Sequence, residues 1–242
     1  GLTGVAVDSA GNVYVTDQGN HTTRKVTPVG KVTTLAGAAG QIGDTDGIRS
    51  AARFYWPNGV AVDSAGNIYV ADTFNHTVRR ITPDGFVATL AGRPPHRGIT
   101  DGTGSTARFH FPSSAAVDGS GAIYVADSFN FAIRKITPSG EVRLVAGGGL
   151  PGRADGTGSA AQFGGLVDME CMSLRFADCI QGGPGGVAVD NAGAVYVADT
   201  YNSTIRKITP DGVVTRLLVR ANGVGTVAFF WSPNGVAVDA SG

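Results

Sequence analysis

Residues suited to strands come in short bursts along the whole chain, and the bursts fall into sets of four. In the stretch from Gly59 they are Val60–Asp63, Asn67–Ala71, Thr77–Ile81 and Phe86–Leu90, each rich in Val, Ile, Thr and Tyr. Alternation over such short lengths predicts β-strands. Ser64-Ala65-Gly66 and Pro83-Asp84-Gly85 separate two of the pairs. Pro presets the φ of a turn and Gly supplies positive φ, so both joins predict tight hairpins. No segment carries apolar residues at helical spacing over a helix-length stretch, which excludes a helical solenoid.

The set of four recurs. GVAVDSAGNVYVTD begins at Gly4, GVAVDSAGNIYVAD at Gly59, SAAVDGSGAIYVAD at Ser114 and GVAVDNAGAVYVAD at Gly186, and GVAVDASG opens again at Gly235. The register aspartates Asp8, Asp63, Asp118 and Asp190 are spaced by 55, 55 and 72 residues. Four antiparallel strands per repeat of this period predict propeller blades. In the first strand Val60 and Val62 flank Ala61, and Ala6, Ala116, Ala188 and Ala237 keep that place. One face of each blade is therefore bulky and the other small, as close stacking around an axis requires.

The wording P-x-G-V-A-V-D-x-x-G-N-x-Y-V-A-D-x-x-N-H, here Pro57 through His76, resembles the NHL repeat, and the resemblance extends over all four copies. It implies a propeller, most often six-bladed in that family. It does not imply one activity. NHL-type and related propellers include protein-binding and RNA-binding domains, extracellular receptor segments, a peptide-amidating lyase and gluconolactonase-like neighbours, and fold does not fix function. The expected fold is all-β: a propeller of four-stranded antiparallel blades, four of them plus the first strand of a fifth. The repeats run over about 4–58, 59–113, 114–185 with an insertion at 164–183, 186–234, and a partial 235–242. A ring closes when one end supplies the strands missing at the other. This chain starts and stops on a first strand, which predicts an arc of a six-bladed ring within a longer chain. The competing arrangement is closure at four blades with the last strand packed as an extra.

Strand alternation places the tight turns on one face and the longer connections on the other, where recognition is expected. Those connections repeat as DTDGIRSAARFYWP from Asp44, TDGTGSTARFHFP from Thr100 and ADGTGSAAQF from Ala154. One reading makes them a ring of binding groups at the channel mouth, with Asp44, Asp46, Asp101, His110 and Asp155 as candidates. The other makes Asp-Gly a turn and Phe54, Phe109 and Phe163 plugs between blades, which recurrence in every copy favours. The third connection alone carries GLVDMECMSLRFADCIQGG, with both cysteines, Cys171 and Cys179. A disulfide between them would staple the loop and imply an oxidising compartment, extracellular or secreted. The alternative is two buried thiols on a short helical segment, Met169–Phe176.

Charge and chemistry narrow the function. With 19 basic and 19 acidic residues the formal net charge is zero, which argues against nucleic acid as a partner. No apolar stretch approaches the roughly 18 to 20 residues of a spanning helix, so no membrane insertion is expected. His21 and His76 share a repeat position held elsewhere by Phe131 and Ser203 and read as a blade-surface slot; no metal-ligand spacing emerges. Asp17, Asp72, Asp127 and Asp199, each three residues before an Asn, fit a calcium ring or, more plainly, turns bonded to backbone amides. Arg24, Arg79, Arg134 and Arg206 either pair with those aspartates or lie on the outer blade surface. No nucleophile elbow or phosphate loop occurs, and no cofactor is implied. The expectation is a non-catalytic propeller presenting its loop face to a protein or glycan partner, with the rest of the chain or another subunit at its open blade edges. The rival is a small-molecule enzyme of the lyase or lactonase type with its site at the channel mouth.

Overall fold

The computed structural model describes residues 1–165, 182–217, 220–221, 226–227 and 230–239. Four antiparallel sheets follow one another in chain order as blades. Blade one holds β1 (Leu2–Val7), β2 (Val13–Asp17), β3 (Thr22–Val26) and β4 (Val32–Ala36). A two-residue strand, β5 (Gly47–Ile48), precedes β6 (Pro57–Val62), β7 (Ile68–Asp72), β8 (Thr77–Ile81) and β9 (Phe86–Gly92) of blade two. Blade three repeats this with β10 (Gly102–Thr103), β11 (Pro112–Val117), β12 (Ile123–Asp127), β13 (Ala132–Ile136) and β14 (Glu141–Gly147). Blade four follows with β15 (Gly156–Thr157), β16 (Gly186–Val189), β17 (Val195–Asp199), β18 (Thr204–Ile208) and β19 (Val213–Leu217). The hairpin turns fall where Pro and Gly put them: Gly66 donates to the Asp63 carbonyl and Gly85 to that of Thr82.

Two sequence expectations need correction here. The Asp-Gly of each long connection is not a turn. It opens β5, β10 or β15, which pairs with β9, β14 or β19 at the outer edge of the following blade, so blades two to four have five strands. The connection thus leaves one blade, adds an outer strand to the next and returns to the axis as that blade's inner strand. Capping the outer edge in this way removes an exposed row of unpaired backbone groups.

The two faces of each blade differ as the Val/Ala alternation predicts. The bulky face of blade two, with Val60, Ile68, Val70, Ile81 and Val87, packs against Tyr14 and Ala36 of blade one, and Phe54 fills the wedge between them. The small face, with Ala61, Tyr69, Val78 and Ala91, receives Ile123, Val125, Ile136, Val142 and the Phe109 plug of the next interface. Phe163 plugs the third interface. Burying such a ring stabilises by roughly 2 to 3 kcal/mol.

Blade one shows its bulky face to solvent. Val5 is 67% exposed where its counterpart Val60 is 6% exposed, and Val32 is 52% exposed where Val87 is fully covered. At the other end the segment from Asn234 lies against β16, with a Cβ built on Gly186 falling 2.7 Å from the Asn234 carbonyl oxygen. The inner segments therefore run in the order of the chain, and the arc is open on the β1 side. Cys171 and Cys179, with the proposed disulfide and the alternative helical segment, lie outside the described residues.

Candidate functional site

Three of the connection aspartates, Asp46, Asp101 and Asp155, and the inner aspartates Asp72, Asp127 and Asp199 are held by arginines. Arg79 reaches Asp72 in its own blade at 2.8 Å and Asp46 from the connection at 2.7 Å, and also donates to the carbonyls of Arg53 and Thr45. Arg134 does the same with Asp127 and Asp101, and Arg206 with Asp199 and Asp155. Each guanidinium lies against a plug ring, Phe54, Phe109 or Phe163, at 5.2 to 5.3 Å. These arginines pair with the aspartates as one sequence reading had it, but they are fully buried, not on an outer surface. The inner aspartates also accept backbone hydrogens from the connection, Tyr55 to Asp72 and His110 to Asp127. Each Asp-x-x-Asn pair is linked side chain to side chain, and Asn75 donates onward to the Gly43 carbonyl. Burial pushes the Asp72 and Asp127 carboxyls up to about 6 against the pull of their arginines and amide donors, which leaves them ionised at neutral pH.

Asp46, Asp101 and Asp155 therefore sit beside the outermost strands, where Asp46 also accepts from Thr89 of β9. Asp44 is exposed in the same connection. None of these four lines the axial channel or its mouth. Of the sequence candidates only His110 joins the mouth region, through ring contacts with Phe111 and Phe129.

What forms the mouth is a set of aromatic side chains that sequence reasoning did not single out. Phe74 packs against Tyr55, Trp56 and Phe111 at 5.0 to 5.3 Å between ring centres, and Phe111 against Phe129 at 4.9 Å. Tyr201 continues the line around a cavity of about 290 Å³. Trp56, Phe74 and Tyr201 present about two-fifths of their surface to solvent. The positioning is local: Phe74, Phe129 and Tyr201 occupy the middle of the 3-10 turns Thr73–Asn75, Ser128–Asn130 and Thr200–Asn202, after the inner aspartate. A signal was present in the sequence, since Asp-x-(Phe/Tyr)-Asn recurs in three copies where the first has Gly19.

Below the aromatic rings, Asn58, Ser113 and Asn234 stand at the entrance to an axial channel of about 630 Å³ lined by the inner strands. Hydroxyls tie the blades together there, Thr73 to the Pro112 carbonyl at 2.8 Å and Ser128 to that of Pro184 at 2.6 Å.

His21 and His76 are buried left-handed caps, not a surface slot. Their Nδ1 atoms accept the backbone hydrogens of Trp56 and Phe111, which ties each turn to the next blade's entry. Burial, with Arg97 and His110 nearby, pulls His76 down to about 4, and burial lowers His110 as well. Both imidazoles are neutral at pH 7. Among the described residues no three His, Cys, Asp or Glu side chains group as a metal site. Among them, too, no helix is long and apolar enough to cross a membrane.

The NHL repeat family model matches residues 1–22, 54–81 and 182–208, the inner strands and turns just described. The chain carries NHL repeats at these three positions and is similar there to the NHL-repeat propellers. The chain is 29% identical to teneurin-3 of Mus musculus over 233 residues, which covers 85% of the chain but 8% of that protein. Among solved structures it is similar to the nidogen/laminin complex, with a TM-score of 0.63 at 17% identity over 98% of this chain and 68% of that one. It is similar also to a catalytically inactive virginiamycin B lyase from Staphylococcus aureus with quinupristin, with a TM-score of 0.58 at 17% identity over 98% and 59%. Both structural likenesses concern the fold.

Proposed function

We propose that this NHL propeller is a non-catalytic interaction module that holds a protein or glycan partner in the aromatic mouth of its loop face, outside the cell. The observation that carries the reading is the half-exposed pair Phe74 and Tyr201 on the wall of the mouth cavity, with the equally exposed Trp56 packed on Phe74. Large, stiff aromatic rings at a concave centre, edged by amides and hydroxyls, are what interface anchors are made of. Three of the candidate acids, Asp46, Asp101 and Asp155, are spent on arginines and Asp44 lies away from the mouth, which leaves recognition rather than acid–base chemistry as the natural use of this face. A protein partner is favoured over a glycan by the nidogen structure, which was solved in complex with laminin. The extracellular part of the reading rests on Cys171 and Cys179 and is tested by titrating free thiols in native protein.

The enzyme alternative keeps one observation in its favour. His110 has a buried Nε2 without a hydrogen-bond partner, and its ring lies 5.8 Å from that of His76 beside the aromatic set. A lyase- or lactonase-type reaction at the mouth would have to use it.

The experiment screens the protein against arrayed extracellular protein domains and arrayed glycans, and repeats each hit with Trp56→Ser, Phe74→Ser and Tyr201→Ser. Protein hits lost in all three variants and kept in Asp44→Asn support the reading. Hits indifferent to the three, or turnover of lactones that disappears in His110→Asn, overturn it.

A further inference from the structure

What recurs at every blade interface is architecture, and one interface departs from the others on an unchanged frame. Gly43, Gly98 and Gly152 hold the same place in the three connections, each donating to the carbonyl of the plug phenylalanine and accepting from the Asn of the 3-10 turn. The residue before each glycine is Ile42, Arg97 and Pro151 in turn, and the residue after each plug is Tyr55, His110 and Gly164. The second connection alone puts a cation and an imidazole there. A tight turn precedes Arg97, with the His96 amide donating to the Arg93 carbonyl at 2.8 Å, so Arg93, His96 and Arg97 stand together, all three exposed. The aspartate of this connection does not neutralise them, since Asp101 is held by Arg134 at 2.6 Å. Among the described residues neither Arg93 nor Arg97 makes an ion pair or a side-chain hydrogen bond.

These cations border the aromatic mouth. The tie between Gly98 and Phe109 sets Arg97 beside His110. The His110 and His76 rings lie 5.2 and 4.6 Å from that of Phe111 in the mouth wall. Burial chiefly lowers both imidazoles, and the Arg97 cation adds to it. Among the described residues that line the mouth cavity none is charged. An apolar concavity thus has a cluster of unpaired positive charge on one side.

We propose that the mouth takes an acidic protein segment, with an apolar side chain seated among Phe74, Phe111 and Tyr201 and neighbouring carboxylates on Arg93 and Arg97. This rests on the reading of the mouth as a recognition site. The planar fork of a guanidinium matches a carboxylate. A sulfated glycan would need a longer cationic track than one turn on a chain of zero net charge, and would leave the apolar wall uncovered.

Two capped peptides, acetyl-Phe-Glu-Glu-Glu-amide and acetyl-Phe-Gln-Gln-Gln-amide, titrated into the chain, provide the test. The glutamate peptide should bind roughly threefold to tenfold more tightly, as two exposed ion pairs allow. Salt at about 1 M, which shortens screening to a few ångströms, should erase the gain, and so should the Arg93→Gln, Arg97→Gln double variant. Imidazole resonances of His76 and His110 should shift on binding, while that of His21, whose connection carries Ile42, stays still. Equal binding of the two peptides that is lost in Phe74→Ser overturns the acidic assignment and leaves the mouth reading standing. A gain that survives the double variant, or a His21 shift as large as the others, also overturns the assignment. Tighter binding of a heparin hexasaccharide than of the glutamate peptide overturns the choice of a protein segment. No binding of either peptide at millimolar concentration overturns both readings.

Discussion

The guanidinium carbon of Arg79 lies 5.2 Å from the centre of the Phe54 ring. That contact joins two features the chain separates by 25 positions, an aromatic plug and an ion pair, into one wedge between blades. With the plug covering one side, Arg79 spends its terminal nitrogens on two carboxylates and two carbonyls. Arg79→Met should therefore cost about 3 to 5 kcal/mol, because Asp72 is left buried without its cation. Asp46→Ala, which removes a half-exposed partner, should cost no more than about 1 kcal/mol. Urea unfolding of the two variants checks the ranking.

Glycine turns are not equivalent. Gly92 has φ +98 and a Cβ there would lie 2.5 Å from the His76 carbonyl oxygen, whereas Gly66 has φ +82 and a Cβ would meet only the Pro83 ring at 3.5 Å. Gly66→Ala should cost about 1 to 2 kcal/mol from the left-handed backbone alone. Gly92→Ala should cost more, because backbone must also move. Equal melting temperatures for the two variants would contradict the blade assignment.

Acid sensitivity should trace in part to His76. Its folded pKa, about 4, lies below the ordinary 6.5 because burial disfavours the cation. The unfolded chain takes the proton first, so the stability linked to this group is full above about pH 6.5 and is lost as the pH falls toward 4. Asp72 and Asp127 slope the other way: raised to about 6, they favour the fold most below the ordinary 3.8, and that contribution is lost as pH rises through 6. His76→Phe, the residue blade three uses at Phe131 with φ +53, isolates the histidine. Its unfolding midpoint should fall less than that of the natural protein between pH 6.5 and 4. Parallel midpoints across that window would rule the assignment out.

Much of the fold was legible because repetition made each local signal redundant. The Val/Ala alternation reports which face meets the preceding blade, and Pro-x-Gly turns fix the hairpins. The site was less legible for a physical reason. Asp46, Asp101 and Asp155 look available in a linear reading, and only the crossing of the connection to the outer edge shows that arginines occupy them. Phe74, Phe129 and Tyr201 read as ordinary turn residues until the 3-10 geometry turns them toward the axis. His21 and His76 looked interchangeable with Phe and Ser; what the position demands is a left-handed backbone, and the imidazole acceptor is an addition peculiar to the first two copies.

The open face gives a last prediction in which sequence context is constant and only coverage changes. Val5 and Val60 occupy the same place in the repeat, each preceded by Gly and followed by Ala-Val-Asp. Val5 is exposed on the bulky face of blade one, and Val60 is buried against blade one. Threonine is close to valine in shape but brings a hydroxyl, which costs about 1 to 3 kcal/mol where it has no partner away from water. Val60→Thr should therefore lower stability by that amount, while Val5→Thr should stay within about 0.5 kcal/mol of the natural protein. Removing apolar surface from the open face should also reduce self-association at high concentration. Denaturant midpoints and light scattering measure the two effects. If Val5→Thr destabilises as much as Val60→Thr, something covers the first blade in solution, and its bulky face is not open.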